Sequence, residues 1–241
     1  MRLKLMLVLS FLVCLSGLSV EKTQAQTICA NGTGTHDGYK YELWNSGTTE
    51  DACMTLKAGG AFSCEWNDFY DVMFRKGLNF DRTPYPEVGN IIVKYGAKFQ
   101  PGLNSYLAVY GRFDHPLAEY YIVESWGEWR PPGSSSVGAS LIGTFRVDDG
   151  TYEIYKAYRP SPVVIGPGIS IEQYWSIRTS KRTNGTISVS KHFDKWASLD
   201  LPLGELYDVS LLVEGYESNG QADVYYMSIG VFPPFNLPEE K

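Results

Sequence analysis

Cysteine is scarce in this 241-residue chain, with four in all, and one of them, Cys14, sits inside an apolar N-terminal run. The other three, Cys29, Cys53 and Cys64, lack the spacing and the Cys/His company of a four-ligand zinc site. An odd set of three allows one disulfide and one free thiol. No block of Lys or Arg supplies the electrostatic footprint of a nucleic-acid binder. No stretch after the N-terminal run is apolar enough to anchor in a membrane. A diagnostic 20–50-residue repeat and an interdomain linker are also missing.

What is present begins with Arg2 and Lys4, an apolar run over 5–18, and a small residue at Ala25. That order predicts a secretory signal over 1–25, and the run is too short for a comfortable membrane span. Cleavage after Ala25 removes three cations and one anion, taking the formal charge from −6 to −8. The expected product is a soluble, secreted, extracellular protein of one domain over 26–231. A Pro-rich acidic tail follows over 232–241.

Tyr, Trp, Val and Ile recur in short alternating runs broken by Gly, Pro, Asn and Ser, the pattern of an antiparallel sandwich or barrel. The runs predict strands over 39–44, 61–66, 72–74, 90–99, 105–110, 119–126, 140–147, 150–157, 170–179, 185–190, 206–216 and 222–230. One segment departs from this period. Phe193, Trp196 and Ala197 fall at helical spacing after Ser190, so 191–198 reads as a short helix against the outside of the sheets, with Ser190 as its N-cap. His192 at its start reads as a buried, hydrogen-bonded structural histidine.

The stretch HPLAEYYIVESWG, 115–127, raises the functional question, because an otherwise apolar strand holds two glutamates. Side chains alternate faces along a strand. Glu119, Tyr121, Val123 and Ser125 therefore share one face, and Tyr120, Ile122, Glu124 and Trp126 the other. The two glutamates cannot act together. Glu214 follows the apolar run Leu211, Leu212 and Val213, where a charge is costly without a partner. If it faces Glu119, the two pKa values are pushed apart, as retaining glycoside hydrolysis requires of a nucleophile and a proton donor. Trp44, Tyr106, Tyr110, Tyr121 and Trp175 offer flat rings with polar tips that suit sugars, though core packing claims part of this set.

HPLAEYYIVESWGEWRPPG and VEGYESNG resemble the two active-site segments of glycoside hydrolase family 11, the β-jelly-roll endo-1,4-β-xylanases. YELWNSG (41–47), SCEWNDFYDVMFRKG (63–77), SYLAVYG (105–111), GTYEIYKAYR (150–159) and QYWSIRTSKR (173–182) match in the family's order. The resemblance covers nearly all of the chain after the signal. It implies an all-β jelly-roll sandwich of two strongly curved antiparallel sheets. It implies a retaining endo-1,4-β-xylanase acting through a covalent glycosyl-enzyme, with Glu119 as nucleophile and Glu214 as general acid/base, about 5–5.5 Å apart.

The same carry-over gives substrate-binding roles. Tyr121 is expected beside the nucleophile, Tyr110 and Arg159 flanking Glu119, Gln173 bonding sugar, Trp44 stacking on a xylose ring, and Trp175 continuing the cleft wall. Pro162 and Val163 of the segment PSPVVIGPG, 160–168, are expected to press on sugar. Asp71 stands where the family carries Asn or Asp beside the acid/base, and is expected within hydrogen-bond reach of Glu214, sharing its proton. That pairing predicts an activity optimum below about pH 6. Arg112 stands where the family carries tryptophan, Leu78 also replaces a tryptophan, and the place of Tyr207 is open. Glu124 is expected to pair with Arg182 in the core.

Cys64 alternates with Phe62 and Trp66 on one strand face, whereas Cys29 and Cys53 lie near loops or strand ends. A Cys29–Cys53 disulfide with Cys64 free and buried is the expectation. The partners expected are xylan and xylo-oligosaccharides, bound by a monomer with no metal, cofactor, nucleic acid or membrane. The rival is a non-catalytic carbohydrate-binding jelly roll, which needs the aromatics but not the carboxylate pair. A β-glucanase is disfavoured because its E-x-D-x-E strand is absent.

Overall fold

The computed structural model describes residues 25–47, 51–85, 87–132, 138–160 and 170–233. Its elements run β1 (Gln26–Ile28), β2 (Gly32–His36), β3 (Tyr39–Asn45), β4 (Ala52–Leu56), β5 (Phe62–Pro84), β6 (Asn90–Pro101) and β7 (Asn104–Asp114). They continue with β8 (Ala118–Trp126), β9 (Ser140–Val147), β10 (Gly150–Pro160), β11 (Ser170–Arg178), β12 (Asn184–Ser188), α1 (Val189–Ala197) and β13 (Glu205–Phe232). The all-β jelly-roll expectation holds. The expected signal over 1–25 and tail over 232–241 lie almost wholly outside the described residues.

Two strands run far past their sequence-predicted ends and join the layers. The expected strands 61–66 and 72–74 are parts of β5, and 206–216 and 222–230 are parts of β13. Up to Tyr216, β13 lies between β5 and β7; beyond Gly220 it pairs with β6. Asp68 and Glu217 take positive φ where the two strands bend, and the β5–β13 register slips between Ser218 and Gly220. Turn signals in these bends read as strand breaks in the sequence, but the ladder bonds carry through them. The order along the ladder is β1-β4-β5-β13-β7-β8-β11-β10-β9. Every pairing is antiparallel except β8 with β11.

The main core lies between the layers and includes Phe74, Leu107, Phe113, Tyr120, Ile122, Val213 and Met227. Helix α1 closes it. Phe193 and Trp196 are fully buried against Phe113, Tyr120 and Tyr174. Each such side chain contributes roughly 1.5–3 kcal/mol of burial. The helix starts two residues earlier than predicted, because Ser190 is not its cap. The Ser190 hydroxyl accepts from the Ile91 N–H at 2.8 Å and donates to the Gly89 carbonyl at 3.1 Å. Asp148 meets the helix start instead, taking the Ser188 N–H at 2.6 Å and its hydroxyl at 2.8 Å. His192 is buried as expected but not hydrogen-bonded: both ring nitrogens lack a partner among the described residues. Burial holds its pKa down to about 3, so it packs as a neutral ring edge-on to Phe145 and Tyr152.

Cys29 and Cys53 form the expected disulfide, tying the chain after β1 to β4, and Cys64 is free and buried. Burial pushes the Cys64 thiol far above its usual range, which leaves it unreactive.

Candidate active site

A second, smaller cluster lines the opposite, outer face of the β7–β8–β11 layer: Tyr106, Tyr110, Tyr121, Trp126, Trp175 and Leu212 among others. Strand register decides which charged groups join it. Glu119 is the Cα partner of Gln173 on β11 and of Arg112 on β7; Glu214 is the partner of Tyr106 on β7 and of Met73 on β5. Direct cross-strand partners share a face, and so do residues two apart on a strand. Glu119, Glu214, Asp71, Arg159, Gln173, Tyr121, Tyr110 and Trp44 therefore all sit on the outer face. Pro162 and Val163 lie outside the described residues.

Glu124 points the other way, as alternation predicts, but Trp126 does not. Val123 pairs with Ala108 and Ser125 with Leu107, so Glu124 is the extra residue of a β-bulge. The bulge resets the alternation. Trp126 pairs with Tyr106 on the outer face, and Ser125 lies opposite the core residue Leu107. The predicted grouping of Ser125 with Glu119 and of Trp126 with Ile122 is corrected accordingly.

Glu119 is only 4 % exposed and fully bonded. Arg159 donates from Nε to Oε2 at 2.6 Å and from Nη2 to Oε1 at 2.5 Å, a bidentate clamp. Gln173 Nε2 donates to Oε2 at 3.0 Å and the Tyr110 hydroxyl to Oε1 at 3.2 Å. Burial alone would raise its pKa. The Arg159 bonds and charge, with Gln173 and Tyr110, outweigh burial and hold Glu119 below the usual carboxylate range.

Glu214 has the opposite environment. Burial first, then the charges of Asp71 and Glu119, push its pKa up to about 8, against a hydrogen bond from Tyr106 and the charge of Arg159. Its Oε2 is enclosed without a hydrogen-bond partner among the described residues. Asp71 is raised to about 6 by burial, with the Arg159 charge opposing. Asp71 pairs with Tyr216, two residues on from Glu214, so the carboxyls are diagonal neighbours. Their charges interact.

Trp44 is 40 % exposed and presents its ring. Trp175 and Tyr121 are instead buried and stacked on one another, with centroids 3.9 Å apart and planes 5° from parallel. Tyr106 packs edge-on to both. Its hydrogen bond to Glu214 is a role that the aromatic pattern of the sequence did not distinguish from sugar stacking. Tyr207 is the extra residue of another bulge, between Leu206 and Asp208, and lies against Arg112 and Arg82. Among the described residues no group of His, Cys, Asp and Glu is arranged to hold a metal, and no helix is long and apolar enough to cross a membrane.

An arginine-clamped carboxylate facing a carboxyl that keeps its proton is the equipment of acid/base glycoside chemistry. The family comparison agrees: residues 36–225 match the model of glycosyl hydrolases family 11, and the chain belongs to that family. It is 48 % identical to endo-1,4-beta-xylanase A of Bacillus pumilus, covering 90 % of this chain and 93 % of that one. It is 49 % identical to endo-1,4-beta-xylanase A of Thermoclostridium stercorarium over 88 % of this chain, but spans only 32 % of that protein. The solved family 11 xylanase of Neocallimastix patriciarum superposes with a TM-score of 0.76 at 32 % identity, covering 87 % of this chain and 100 % of that one.

Proposed function

We propose that this protein is a retaining endo-1,4-β-xylanase that hydrolyses internal xylosidic bonds by double displacement. The observation that carries the reading is the opposed pair: Glu119 held ionised by Arg159, and Glu214 held protonated on the same face. Glu119 attacks the anomeric carbon while Glu214 passes its proton to the departing glycosidic oxygen. The bond to that oxygen breaks as the ester to Glu119 forms. Glu119 then carries no charge, so one of the causes raising Glu214 is removed and its proton affinity falls. Glu214, now ionised, takes a proton from water as the water oxygen displaces Glu119. The second inversion restores the configuration. Arg159, Gln173 and Tyr110 position the nucleophile, and Trp44 offers a stacking face for a xylose ring.

Asp71 tunes the acid. When ionised it strengthens the hold of Glu214 on its proton and makes it a poorer donor; when protonated it leaves Glu214 a stronger acid. On this account the active form has Glu119 ionised and both Asp71 and Glu214 protonated, rather than one proton shared between the two, which puts the optimum below about pH 6. The basic start, apolar run and Ala25 support export, and the Cys29–Cys53 bridge suits an oxidising compartment. The enzyme acts on xylan and xylo-oligosaccharides as a monomer.

Leaving-group dependence tests the roles. An aryl xyloside with an activated leaving group needs little protonation, so it should partly restore glycosylation in Glu214→Gln and not in Glu119→Gln. Equal rescue in both variants would reject the assignment.

A further inference from the structure

Next to Glu119 the outer face holds a pocket of about 360 Å³ whose charge pattern the hydrolytic steps do not use. Its lining includes the cations Lys40, Arg75 and Arg112 and the anions Glu42 and Asp208. That is a surplus of one positive charge on a chain whose formal charge is −6. The pocket adjoins the reacting centre. Arg112 is the cross-strand partner of Glu119, and Arg75 lies over the ring of Tyr110, whose hydroxyl reaches Glu119.

The arginines around this pocket differ in their partners. Arg75 is bonded to both Glu42 and Asp208, and Arg82 to Asp114 at 2.6 Å. Arg112 has no carboxylate partner among the described residues. Asp208 accepts from its backbone N–H at 3.0 Å, while its side-chain Nε is left without an acceptor. The guanidinium is nevertheless held in place, 4.8 Å over the Tyr207 ring, with Arg82 5.1 Å from the same ring. A guanidinium fixed by stacking, only partly exposed and with unspent donors, matches the planar fork of a carboxylate. A neutral xylose ring offers hydroxyls that accept single hydrogen bonds, but no charge and no planar fork to match it.

We propose that this pocket is a subsite for a uronic-acid branch of the substrate, a pyranose whose C6 is a carboxylate, and that Arg112 binds that carboxylate. Tyr207, turned out by its bulge, holds the guanidinium flat. The proposal deepens the xylanase reading and rests on it.

Its test compares a uronic-acid-branched xylan with the same polymer after its carboxyls are reduced to primary alcohols, which keeps the branch and removes the charge. At low salt the wild type should show kcat/KM about fivefold higher on the charged polymer, the preference shrinking in 0.5 M salt, roughly as screening requires. Arg112→Gln should bring the ratio near one, and Arg112→Lys should retain part of the preference. A wild-type ratio near one, or a ratio unchanged in Arg112→Gln, overturns the proposal. So does an Arg112→Gln effect confined to the acid limb on the neutral polymer, which would make Arg112 a support for Glu119. Failure to cleave either polymer overturns the xylanase reading itself. Calorimetry of a branched acidic xylo-oligosaccharide on Glu214→Gln, with and without Arg112→Gln, reads binding independently of turnover. Equal affinity in the two proteins also overturns the proposal.

Discussion

Two glutamates on one strand, Glu119 and Glu124, meet nearly the same bonding partners. Each is buried, each is held by an arginine, and each accepts from tyrosine. Arg182 Nε donates to Glu124 Oε2 at 2.5 Å, Tyr95 donates to the same oxygen at 3.0 Å, and Tyr152 donates to Oε1. Glu119 has Arg159, Tyr110 and Gln173 in the corresponding places. An arginine-clamped buried carboxylate is thus not a mark of catalysis. The difference lies on the two faces of the sheet. Glu119 shares its face with Glu214 and Asp71, whose proton affinities are raised, and with the exposed ring of Trp44. Glu124 faces the core beside Tyr152 and is wholly closed off.

The comparison breaks most sharply under matched amide substitutions. Glu119→Gln should lower kcat on xylan by at least about 10⁴-fold, the scale for losing a residue that reacts directly. Its fold should survive, because Gln keeps the shape. Glu124→Gln should leave kcat within about tenfold yet cost roughly 3–5 kcal/mol in urea unfolding, since Arg182 keeps a charge with no counter-ion. Steady-state rates and unfolding curves on both variants read the contrast. Comparable activity loss in both would erase the distinction between the faces.

How much of this contrast was legible beforehand follows from what alternation can carry. The period of two put Glu119 and Glu124 on opposite faces correctly, and the Arg182 partner of Glu124 follows from the order of motifs. It failed at Trp126, because a bulge adds one residue to a strand and sequence period gives no sign of it. Glu214 was legible as a carboxylate too apolar in its surroundings to stand alone. Its bond to Tyr106 was not, since that depends on which of several tyrosines the β7–β13 register sets opposite it. The long strands β5 and β13 look like separate pieces in the sequence because Asp68 and Glu217, which take positive φ within them, are residues typical of turns. The strands β1, β2 and β4 are short and carry no alternating run of Tyr, Trp, Val and Ile, so the period of two does not mark them.

Asp71 sharpens the comparison through pH. With Asp71 protonated in the active form, wild-type activity should fall as pH rises through about 6, where Asp71 ionises. If only the Glu214 proton mattered, the fall would wait until about 8. In Asp71→Asn the descending limb should move upward. It should stop short of 8, because the Asp71 charge no longer raises Glu214. A pH–rate profile superimposable on wild type would leave Asp71 without a role.

The smallest expected effect concerns the clamp. Tyr110→Phe removes one of the bonds that lower the Glu119 pKa. The ascending acid limb should therefore shift to higher pH, with kcat/KM reduced about fivefold, the scale of ~1 kcal/mol for one hydrogen bond. Tyr95→Phe, its counterpart at Glu124, should leave the pH profile where it is while lowering stability by a similar amount. Profiles that move together in the two variants would mean that the faces are electrostatically joined.

The central claim is that Glu119, and no other carboxyl, forms the covalent bond to sugar. A 2-fluoro-substituted xylobioside with an activated leaving group slows both displacements but still permits the first, so the enzyme should accumulate a glycosyl ester. Peptide mapping by mass spectrometry should place that ester on Glu119, within residues 115–127. An adduct on Glu214 or Glu124 would contradict the account, as would turnover with no adduct on any carboxyl.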